Sequence, residues 1–533
     1  MNYFPKSLRI ILLCLVAYSG LFIFRSSFVI ESTRYFCLFD DAMISMQYAQ
    51  NLVQGNGLTW NAHEKIEGIS NPAWTMMMAL IHIFPLPQHA TSLVVQIIGC
   101  SLLLIQCVFI WKLCERLFPQ IPLIAIIATL CTGLYLPFLT WSLMGMEVSL
   151  CALILTYSIS KIDGYADTTS IPWKEIVLLA FGTSIRIDML VPAIVLISSL
   201  ALRKKSIHIP TLLSGFIACT FVIALQTLLR YEYYGALLPN TYYLKMTGID
   251  PLYRISRGIF AAVKFMIFFN PLLLILPFIY IRKHGNHTLY TIGALFIAQI
   301  SYSIYVGGDA WDWWGGANRY ISLAICPFFI ILSAALYHYF DKIKDKFTLF
   351  QTKRTLLLPF GIILLLCQIN YQRNGSSLAT WLLIEQPFGT TDNKTNVELS
   401  LLLQETHRNA KIATVTAGAI HYFTQRTMID ILGKNDIYIA HLPCYIPQNR
   451  NKYISFHPGH NKFDYQYSLQ TKNPDIVIGF SKDDSLVQRY ISEFQQDTYK
   501  GHILYSRKNS DLLENYRKKI VTSQQERIHN EYH

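Results

Sequence analysis

Long apolar runs, separated by short clusters of lysine and arginine, occupy most of this chain from residue 9 to residue 368. A helix needs about 20 mostly apolar residues to cross a bilayer, and basic residues concentrate in cytoplasmic loops. When each basic cluster is placed inside, the runs alternate as about eleven crossings, with the N-terminus inside and the C-terminus outside. Residues 121–140 and 258–281 are each predicted to cross as one helix. The pattern predicts a polytopic α-helical membrane protein.

The composition argues against a soluble protein and against nucleic-acid binding. Only 15% of the 533 residues are charged and 52% are hydrophobic, whereas soluble domains carry about 25% charged residues. The net charge of +12 comes mostly from the short clusters between apolar runs, not from one basic stripe with interleaved aromatic residues. We therefore expect contacts with membrane lipids and no nucleic-acid partner.

Two domains are predicted. Residues 1–371 form the membrane domain, with a first outer loop at 30–70 and an interfacial helix at 71–87. Residues 372–533 have a soluble composition. Within them, 411–415 and 475–480 have the pattern of short buried strands, and 397–407 has helical spacing. We expect an α/β domain on the outer, periplasmic side.

Two adjacent carboxylates, Asp40 and Asp41, open an amphipathic helical stretch of the first loop that ends at Gly55. One aspartate could cap this helix, but the second is then unexplained. Adjacent carboxylates repel each other in a dry site unless a hydroxyl, a cation or a metal lies between them. We predict that Asp40 or Asp41 is the catalytic group that accepts a proton from an attacking hydroxyl, and the sequence leaves open which.

The other outer loops combine cations, carboxylates and aromatic rings. Arg186, Lys245 and Arg319 are candidate ligands for a donor phosphate, although Arg186 and Asp188 fit a structural ion pair at a hairpin tip equally well. Asp309 is expected to orient the acceptor or a cation. The candidate substrate-binding residues are Asp188, Tyr234, Asn240, Tyr242, Asp309 and Trp311. No cofactor is predicted with certainty, and the carboxylates are compatible with a bound divalent cation.

The first loop resembles that of the GT-C glycosyltransferases. The similarity rests on Asp40-Asp41-Ala42, on Gly55-Asn56-Gly57-Leu58-Thr59-Trp60-Asn61 and on Asn71-Pro72-Ala73-Trp74. Weaker matches are Gly145-Met146-Glu147, Arg186-Ile187-Asp188, Gly307-Gly308-Asp309 and Asp430-Ile431-Leu432-Gly433. Within that superfamily the chain is most similar to the branch of the mycobacterial terminal arabinofuranosyltransferase and the proteobacterial flagellar motor control proteins. Members often have Arg-Pro where this chain has Arg186-Ile187, so arabinose is not carried over.

The resemblance implies a GT-C fold and inverting transfer from a polyprenyl-phosphate sugar. The expected acceptor is a glycan or lipid of the cell envelope, on the outer face of the cytoplasmic (inner) membrane. A transporter of lipid-linked sugars is the first alternative, but it would need paired inverted halves with charges at the midplane. A non-enzymatic scaffold affecting the envelope or motility is the second, but it would be expected to lose the outer-loop acids.

Overall fold

The computed structural model describes residues 5–204, 206–312, 318–344, 354–371, 376–447, 452–480 and 485–531. The chain divides into two compact units. Unit 1 consists of Met1–Ser26, Val95–Thr227 and Asp250–Phe388, and unit 2 of Ser27–Val94, Leu228–Ile249 and Gly389–His533.

The helices and strands are numbered here in chain order. The helices are α1 (Lys6–Ser26), α2 (Asp40–Val53), α3 (Pro72–His82), α4 (Gln88–Leu117), α5 (Pro122–Leu134), α6 (Leu136–Leu143), α7 (Val148–Ile159), α8 (Trp173–Ile185), α9 (Leu190–Ala201), α10 (Ile209–Tyr234), α11 (Asn240–Met246), α12 (Pro251–Phe269), α13 (Pro271–His284), α14 (His287–Tyr305), α15 (Arg319–Lys344), α16 (Arg354–Asn370), α17 (Ser376–Trp381), α18 (Thr390–Leu403), α19 (Ala419–Thr424), α20 (Ile437–His441), α21 (Lys452–Ser455), α22 (Ser485–Gln488) and α23 (Glu514–Glu531). The strands are β1 (Phe28–Ile30), β2 (Thr33–Tyr35), β3 (Lys411–Thr414), β4 (Thr427–Asp430), β5 (Ile476–Ile478), β6 (Phe494–Tyr499) and β7 (His502–Arg507).

Several described helices are long and apolar enough to cross a membrane. Four qualify alone, namely α1, α4, α10 and the Arg319–Lys342 part of α15. Two bent pairs, α5 with α6 and α12 with α13, raise the number to six, and shorter apolar helices accompany them. The expectation of many apolar helices is confirmed, and the count of eleven crossings stays a prediction.

Two predicted straight crossings are broken. We predicted one helix over 258–281, but α12 and α13 meet at an angle of 89°. Asn270 lies between them with φ +82°, and Pro271 begins α13. Proline cannot donate a backbone hydrogen bond and disfavours helical backbone in the preceding residue. The crossing predicted at 121–140 likewise bends by 54° between α5 and α6, where Tyr135 is extended.

Unit 2 contains an α/β fold. Its five-stranded sheet has the order β4-β3-β5-β7-β6. Strand β3 pairs in parallel with β4 and β5, whereas β7 pairs antiparallel with β5 and β6. The strands expected at 411–415 and 475–480 are β3 and β5. The helix expected at 397–407 is the end of α18, which begins earlier, at Thr390.

The first loop contributes to the core of unit 2. Tyr48 and Trp60 are buried in the same apolar cluster as Ile412 of β3 and Ile476 of β5. The indole Nε1 of Trp60 also donates to the carbonyl of Ala417, at 2.9 Å. The first loop and the C-terminal sheet therefore fold as one unit, although they are more than 300 residues apart in the sequence.

Candidate functional site

Asp40 does not cap the helix that it begins. Phe39 is the N-cap residue of α2, and its side chain makes no capping hydrogen bond, so the interpretation of an aspartate as the N-cap is wrong. Instead, the Asp40 carboxylate accepts hydrogen bonds from the backbone N–H groups of Gly418, at 3.2 Å, and Ala419, at 2.9 Å. Both N–H groups lie at the start of α19. These two bonds orient the partly buried carboxylate.

Asp41 pairs with a lysine that the sequence analysis did not single out. The Nζ atom of Lys434 lies 2.5 Å from Oδ1 of Asp41, and the two side chains are only 12% and 17% exposed. Lys434 thus supplies a cation beside the two adjacent carboxylates. A cation is one of the three partners, beside a hydroxyl and a metal, that the Asp-Asp pair was expected to have.

Burial and neighbouring charges set the pKa values of Asp40 and Lys434. Burial raises the pKa of Asp40, and the Lys434 ammonium and the Ala419 N–H group only partly oppose this shift. Burial alone would lower the pKa of Lys434, but the carboxylates of Asp41 and Asp40 outweigh it, so the Lys434 pKa is raised. Lys434 is therefore a cation at neutral pH. Asp40 is a stronger base than an exposed aspartate.

A tight loop of residues 430–436 presents Lys434. Asp430, the last residue of β4, accepts hydrogen bonds from the backbone N–H groups of Leu432, Gly433 and Asn435, at 3.0, 3.1 and 2.8 Å. The loop therefore wraps around one buried carboxylate. A buried network whose polar groups are hydrogen-bonded rigidifies its surroundings. The hydrogen bonds to Asp430 therefore hold the backbone that carries Lys434 in place.

Two residues from outside the C-terminal segment hold the same loop. The Nδ2 group of Asn240, at the start of α11, donates to the carbonyls of Gly433, at 3.0 Å, and Lys434, at 2.9 Å. The Tyr48 hydroxyl of α2 donates to Oδ1 of Asn435, at 2.8 Å. Asn240 was predicted to contact substrate. In the structure its amide positions the lysine loop.

Lys245 and His460 belong to the same charged region as Asp41 and Lys434, because the charges of all three ionised side chains act on His460. The Lys245 side chain packs on Gly459, which has φ +87° and whose missing Cβ would lie 3.2 Å from Cγ of Lys245. Burial and the nearby Lys434 charge lower the pKa of His460 to about 3, with Asp41 acting in the opposite direction and Lys245 in the same one. The imidazole is therefore neutral near pH 7. We call Asp40, Asp41, Lys245, Lys434 and His460 the acid–lysine cluster.

The two predicted tyrosines lie near the first loop and α11. The Tyr234 hydroxyl donates to the carbonyl of Leu58, at 2.7 Å, and thereby ties the end of α10 to the first loop. Tyr242 is 40% exposed and makes an edge contact with Tyr243, with ring centroids 5.8 Å apart. Their role as substrate contacts stays a prediction.

In unit 1, the predicted Arg186–Asp188 pair is present and includes a third partner. Arg186 donates to both carboxylate oxygens of Asp188, at 2.8 and 2.9 Å, and to Oε1 of Glu147, at 2.7 Å. Its guanidinium also lies 5.4 Å from the ring centroid of Tyr320. Two carboxylates therefore already balance the charge of this buried arginine.

Arg319 and Asp309 form a second buried pair in unit 1. Arg319 donates to both carboxylate oxygens of Asp309, at 3.0 and 2.9 Å, and its guanidinium lies 5.5 Å from the Trp141 ring. The neighbouring Trp311 makes an edge contact with Phe388 at 6.2 Å. Sequence reasoning missed a third such pair, between Arg257 and Asp312, in which Nη2 donates to Oδ1 at 2.9 Å.

Lys434 and Gly418, whose backbone N–H binds Asp40, share a topological position. Strands β3 and β4 are parallel neighbours, and Gly418 follows the end of β3 while Lys434 follows the end of β4. Ligands in parallel sheets bind at the carboxyl ends of the strands, so this rule could have singled out both loops. Among the described residues, no group of three or more His, Cys, Asp or Glu side chains is placed to hold a metal ion.

Comparisons with known proteins establish the fold. Residues 388–523 match the model of a domain of unknown function (DUF8728), and no curated protein has significant sequence similarity to the chain. ArnT from Cupriavidus metallidurans in the apo state aligns with a TM-score of 0.53 at 10% identity, covering 93% of this chain and 97% of that one. The structure of the same ArnT bound to undecaprenyl phosphate aligns with a TM-score of 0.55 at 8% identity, over 95% of this chain and 98% of that one.

A third solved structure aligns more weakly. The archaeal oligosaccharyltransferase AglB from Archaeoglobus fulgidus, in complex with an inhibitory peptide and a dolichol-phosphate, has a TM-score of 0.47 at 12% identity, over 96% of this chain and 75% of that one. The two ArnT alignments, together with the apolar helices and the C-terminal sheet, show that the chain is a multi-pass membrane protein with the GT-C fold. This prediction is confirmed.

Proposed function

We propose that the chain is a membrane glycosyltransferase that transfers a sugar from a polyprenyl-phosphate donor to a glycan or lipid acceptor of the cell envelope. The observation that carries the proposal is the acid–lysine cluster, in which Asp40 and Asp41 lie beside the Lys434 cation in a chain with the GT-C fold. The solved ArnT relative that is bound to undecaprenyl phosphate supports a lipid-phosphate donor. Transfer takes place on the outer face of the cytoplasmic membrane.

Asp40 is the proposed base. An acceptor hydroxyl attacks the anomeric carbon of the donor sugar, its oxygen forms the new glycosidic bond, and its proton passes to the Asp40 carboxylate. The bond between the anomeric carbon and the phosphate oxygen breaks, and the polyprenyl phosphate leaves with the electron pair. Attack opposite the leaving group inverts the configuration. The raised pKa of Asp40 suits this role, because a base is most effective when its pKa approaches the working pH.

The leaving phosphate needs cations. The charges of Lys245 and Lys434 both lower the pKa of His460 in the acid–lysine cluster, and lysine is a common ligand of phosphate. Arg186 and Arg319 were predicted for the same role. We place Lys245 ahead of them, because it packs on Gly459, the residue before His460 of the cluster that contains Asp40. The main contribution of the two arginines is then to hold the loops of unit 1.

The experiment compares sugar transfer by the purified wild type and by an Asp40→Asn, Asp41→Asn double variant. The donors are synthetic polyprenyl-phosphate sugars and the acceptors are envelope-derived glycans. Asp392→Asn is the matched control, because this acid is exposed and lies outside the cluster. We expect the wild type and the Asp392→Asn control to transfer sugar and the double variant to be inactive. Equal transfer by the double variant, or none by the wild type with any donor, would overturn the proposal.

A further inference from the structure

Unit 1 contains an apolar groove of about 500 Å³ that is lined by four helices and by none of the predicted site residues. We call it the apolar groove. Of its described lining residues, only Tyr337 and Gln368 carry a polar side-chain group. Each helix contributes apolar residues, among them Leu123 of α5, Leu273 of α13, Phe340 of α15 and Gly361 of α16. The volume lies within the range of ligand sites, about 300–1,000 Å³.

The walls of the apolar groove are only partly covered by protein. Leu273 and Phe340 are half-buried and Gly361 is exposed. A Cβ added to Gly361 would meet no atom within 4 Å, so the groove is open at this position. Apolar atoms that face open space lack the dispersion contacts of a packed interior. A hydrocarbon chain that lies in the groove would supply these contacts.

Basic side chains lie at one end of the helices that line the groove. The rings of His284, the last residue of α13, and His338 of α15 have centroids 4.4 Å apart. The charges of Lys283 and Lys342 both act on His338, and the carboxylate of Asp341 opposes them. Both lysines are exposed. We call Lys283, His284, His338 and Lys342 the basic cluster, which suits a negatively charged group.

The apolar groove and the basic cluster are spaced like the two parts of a phospholipid. On α13, Leu273 of the groove and Lys283 of the cluster are ten residues apart, or about 15 Å along the helix axis. One leaflet accounts for about 15 Å of the hydrocarbon core, which is about 30 Å thick. On α15, Phe340 of the groove precedes Lys342 by two residues. A phosphate beside the lysines would therefore leave an acyl chain beside Leu273.

The basic cluster belongs to the predicted cytoplasmic side, where lysines and arginines concentrate. Helix α15 begins at Arg319, which was predicted to lie on the outer side, and reaches Lys342 after 23 residues. That length corresponds to about 35 Å, enough to cross the hydrocarbon core. In this topology the apolar groove opens to the inner leaflet, whereas the proposed donor phosphate binds on the outer face.

We propose that the apolar groove and the basic cluster together bind one anionic phospholipid of the inner leaflet. The lysines pair with its phosphate, and an acyl chain fills the groove between the four helices. Basic pockets between transmembrane helices on the cytoplasmic side bind anionic headgroups in this way. Because the lipid contacts α5, α13, α15 and α16 at once, it stabilises unit 1. The inference goes beyond the proposed function and does not depend on it.

The test uses the purified full chain with an equimolar mixture of phosphatidylglycerol and phosphatidylcholine that carry the same acyl chains. Native mass spectrometry measures how much of each lipid is bound. We expect the wild type to prefer phosphatidylglycerol, and a Lys283→Gln, Lys342→Gln double variant to lose this preference by about tenfold. The matched control is Lys112→Gln, Lys174→Gln, which removes two exposed lysines outside the basic cluster and should keep the preference.

A second variant, Gly361→Phe, tests the apolar groove. The new ring starts from a position where a Cβ meets no atom within 4 Å, so it should occupy the groove and displace the acyl chain. Gly20→Phe in α1 is the control, because a Cβ there also meets nothing within 4 Å and Gly20 does not line the groove. We expect phosphatidylglycerol binding to be lost in Gly361→Phe and kept in the control.

Thermal unfolding gives an independent readout. A ligand of the folded state raises the unfolding temperature, so phosphatidylglycerol should stabilise the wild type and both controls more than the two site variants. Equal wild-type binding of the two lipids, or unchanged phosphatidylglycerol binding by either site variant, would overturn the inference. Displacement of phosphatidylglycerol by undecaprenyl phosphate in the wild type but not in Gly361→Phe would also overturn it, and would assign the groove to a polyprenyl chain.

Discussion

The ammonium of Lys434 lies 2.5 Å from the carboxylate of Asp41, although 393 residues separate them in the sequence. The pair links the first loop to the loop that follows β4. It places a cation beside the Asp40 carboxylate, where the proposed reaction generates and moves charge. Three predictions concern this pair and the contacts around it, and a fourth concerns a buried ion pair of unit 1.

Replacing Lys434 by methionine should reduce sugar transfer by about 100-fold or more, because a fixed charge at a reacting centre has an effect of this size. The matched control is Lys394→Met, which removes an exposed lysine from α18 of the same unit. Transfer rates and thermal unfolding are measured for both variants. Folded Lys434→Met protein with the wild-type rate would contradict a catalytic role for the ion pair.

The pH dependence of transfer should report the charges around Asp40. A base works only when deprotonated, so activity is lost as the pH falls through its pKa, which burial raises for Asp40. Lys434 lowers this pKa and Asp41 raises it. Lys434→Met should therefore move the acidic limb of kcat/KM to higher pH, and Asp41→Asn should move it to lower pH. Shifts in the same direction for both variants would contradict Asp40 as the base.

Gly418→Ala should impair transfer through the position of Asp40. A Cβ on Gly418 would overlap the backbone carbonyl and the carboxylate of Asp40, and overpacking of this kind costs about 1–3 kcal/mol. Gly164→Ala is the control, because nothing lies within 4 Å of a Cβ there. We expect a fall of about tenfold or more in kcat, since small misplacements of catalytic groups are costly. Equal rates for the two variants would show that the contact has no role.

Asp309→Asn should destabilise unit 1. The Arg319–Asp309 pair is buried, with side chains 9% and 1% exposed, and breaking a buried ion pair costs about 3–5 kcal/mol. Asp167→Asn breaks an exposed pair with Lys204 and should have little effect. Unfolding in detergent micelles is measured for both. Equal stability of the two variants would contradict the structural role of Arg319 and leave its phosphate role in place.

Local patterns predicted the parts of the molecule that depend on neighbouring residues. The apolar spacing after Asp40 indicated α2, and the apolar runs at 411–415 and 475–480 indicated β3 and β5. The bends at Asn270 and Tyr135 were missed, because an average of hydropathy over a window does not register one residue with extended or left-handed backbone. A proline near each bend was the available signal.

The acid–lysine cluster could be predicted only in part. Two adjacent aspartates at a helix start indicated a missing partner (a hydroxyl, a cation or a metal), and Lys245 was singled out as a phosphate ligand. Spacing alone did not identify Lys434, because β4 and the first loop meet only through tertiary packing. The position of its loop at the carboxyl end of a parallel strand was the available signal. Asn240 was chosen for its position in a polar loop. Its amide bonds to the carbonyls of Gly433 and Lys434, and its role as a substrate contact stays a prediction.

The shared core of unit 2 sets a practical limit on dissecting this protein. The matched domain spans 388–523, yet the apolar cluster beneath its sheet also contains Tyr48 and Trp60. A fragment cut at those boundaries would leave the sheet without these two rings and expose the surface that they cover. Such a fragment should aggregate when expressed alone, and co-expression with residues 27–94 should restore its solubility.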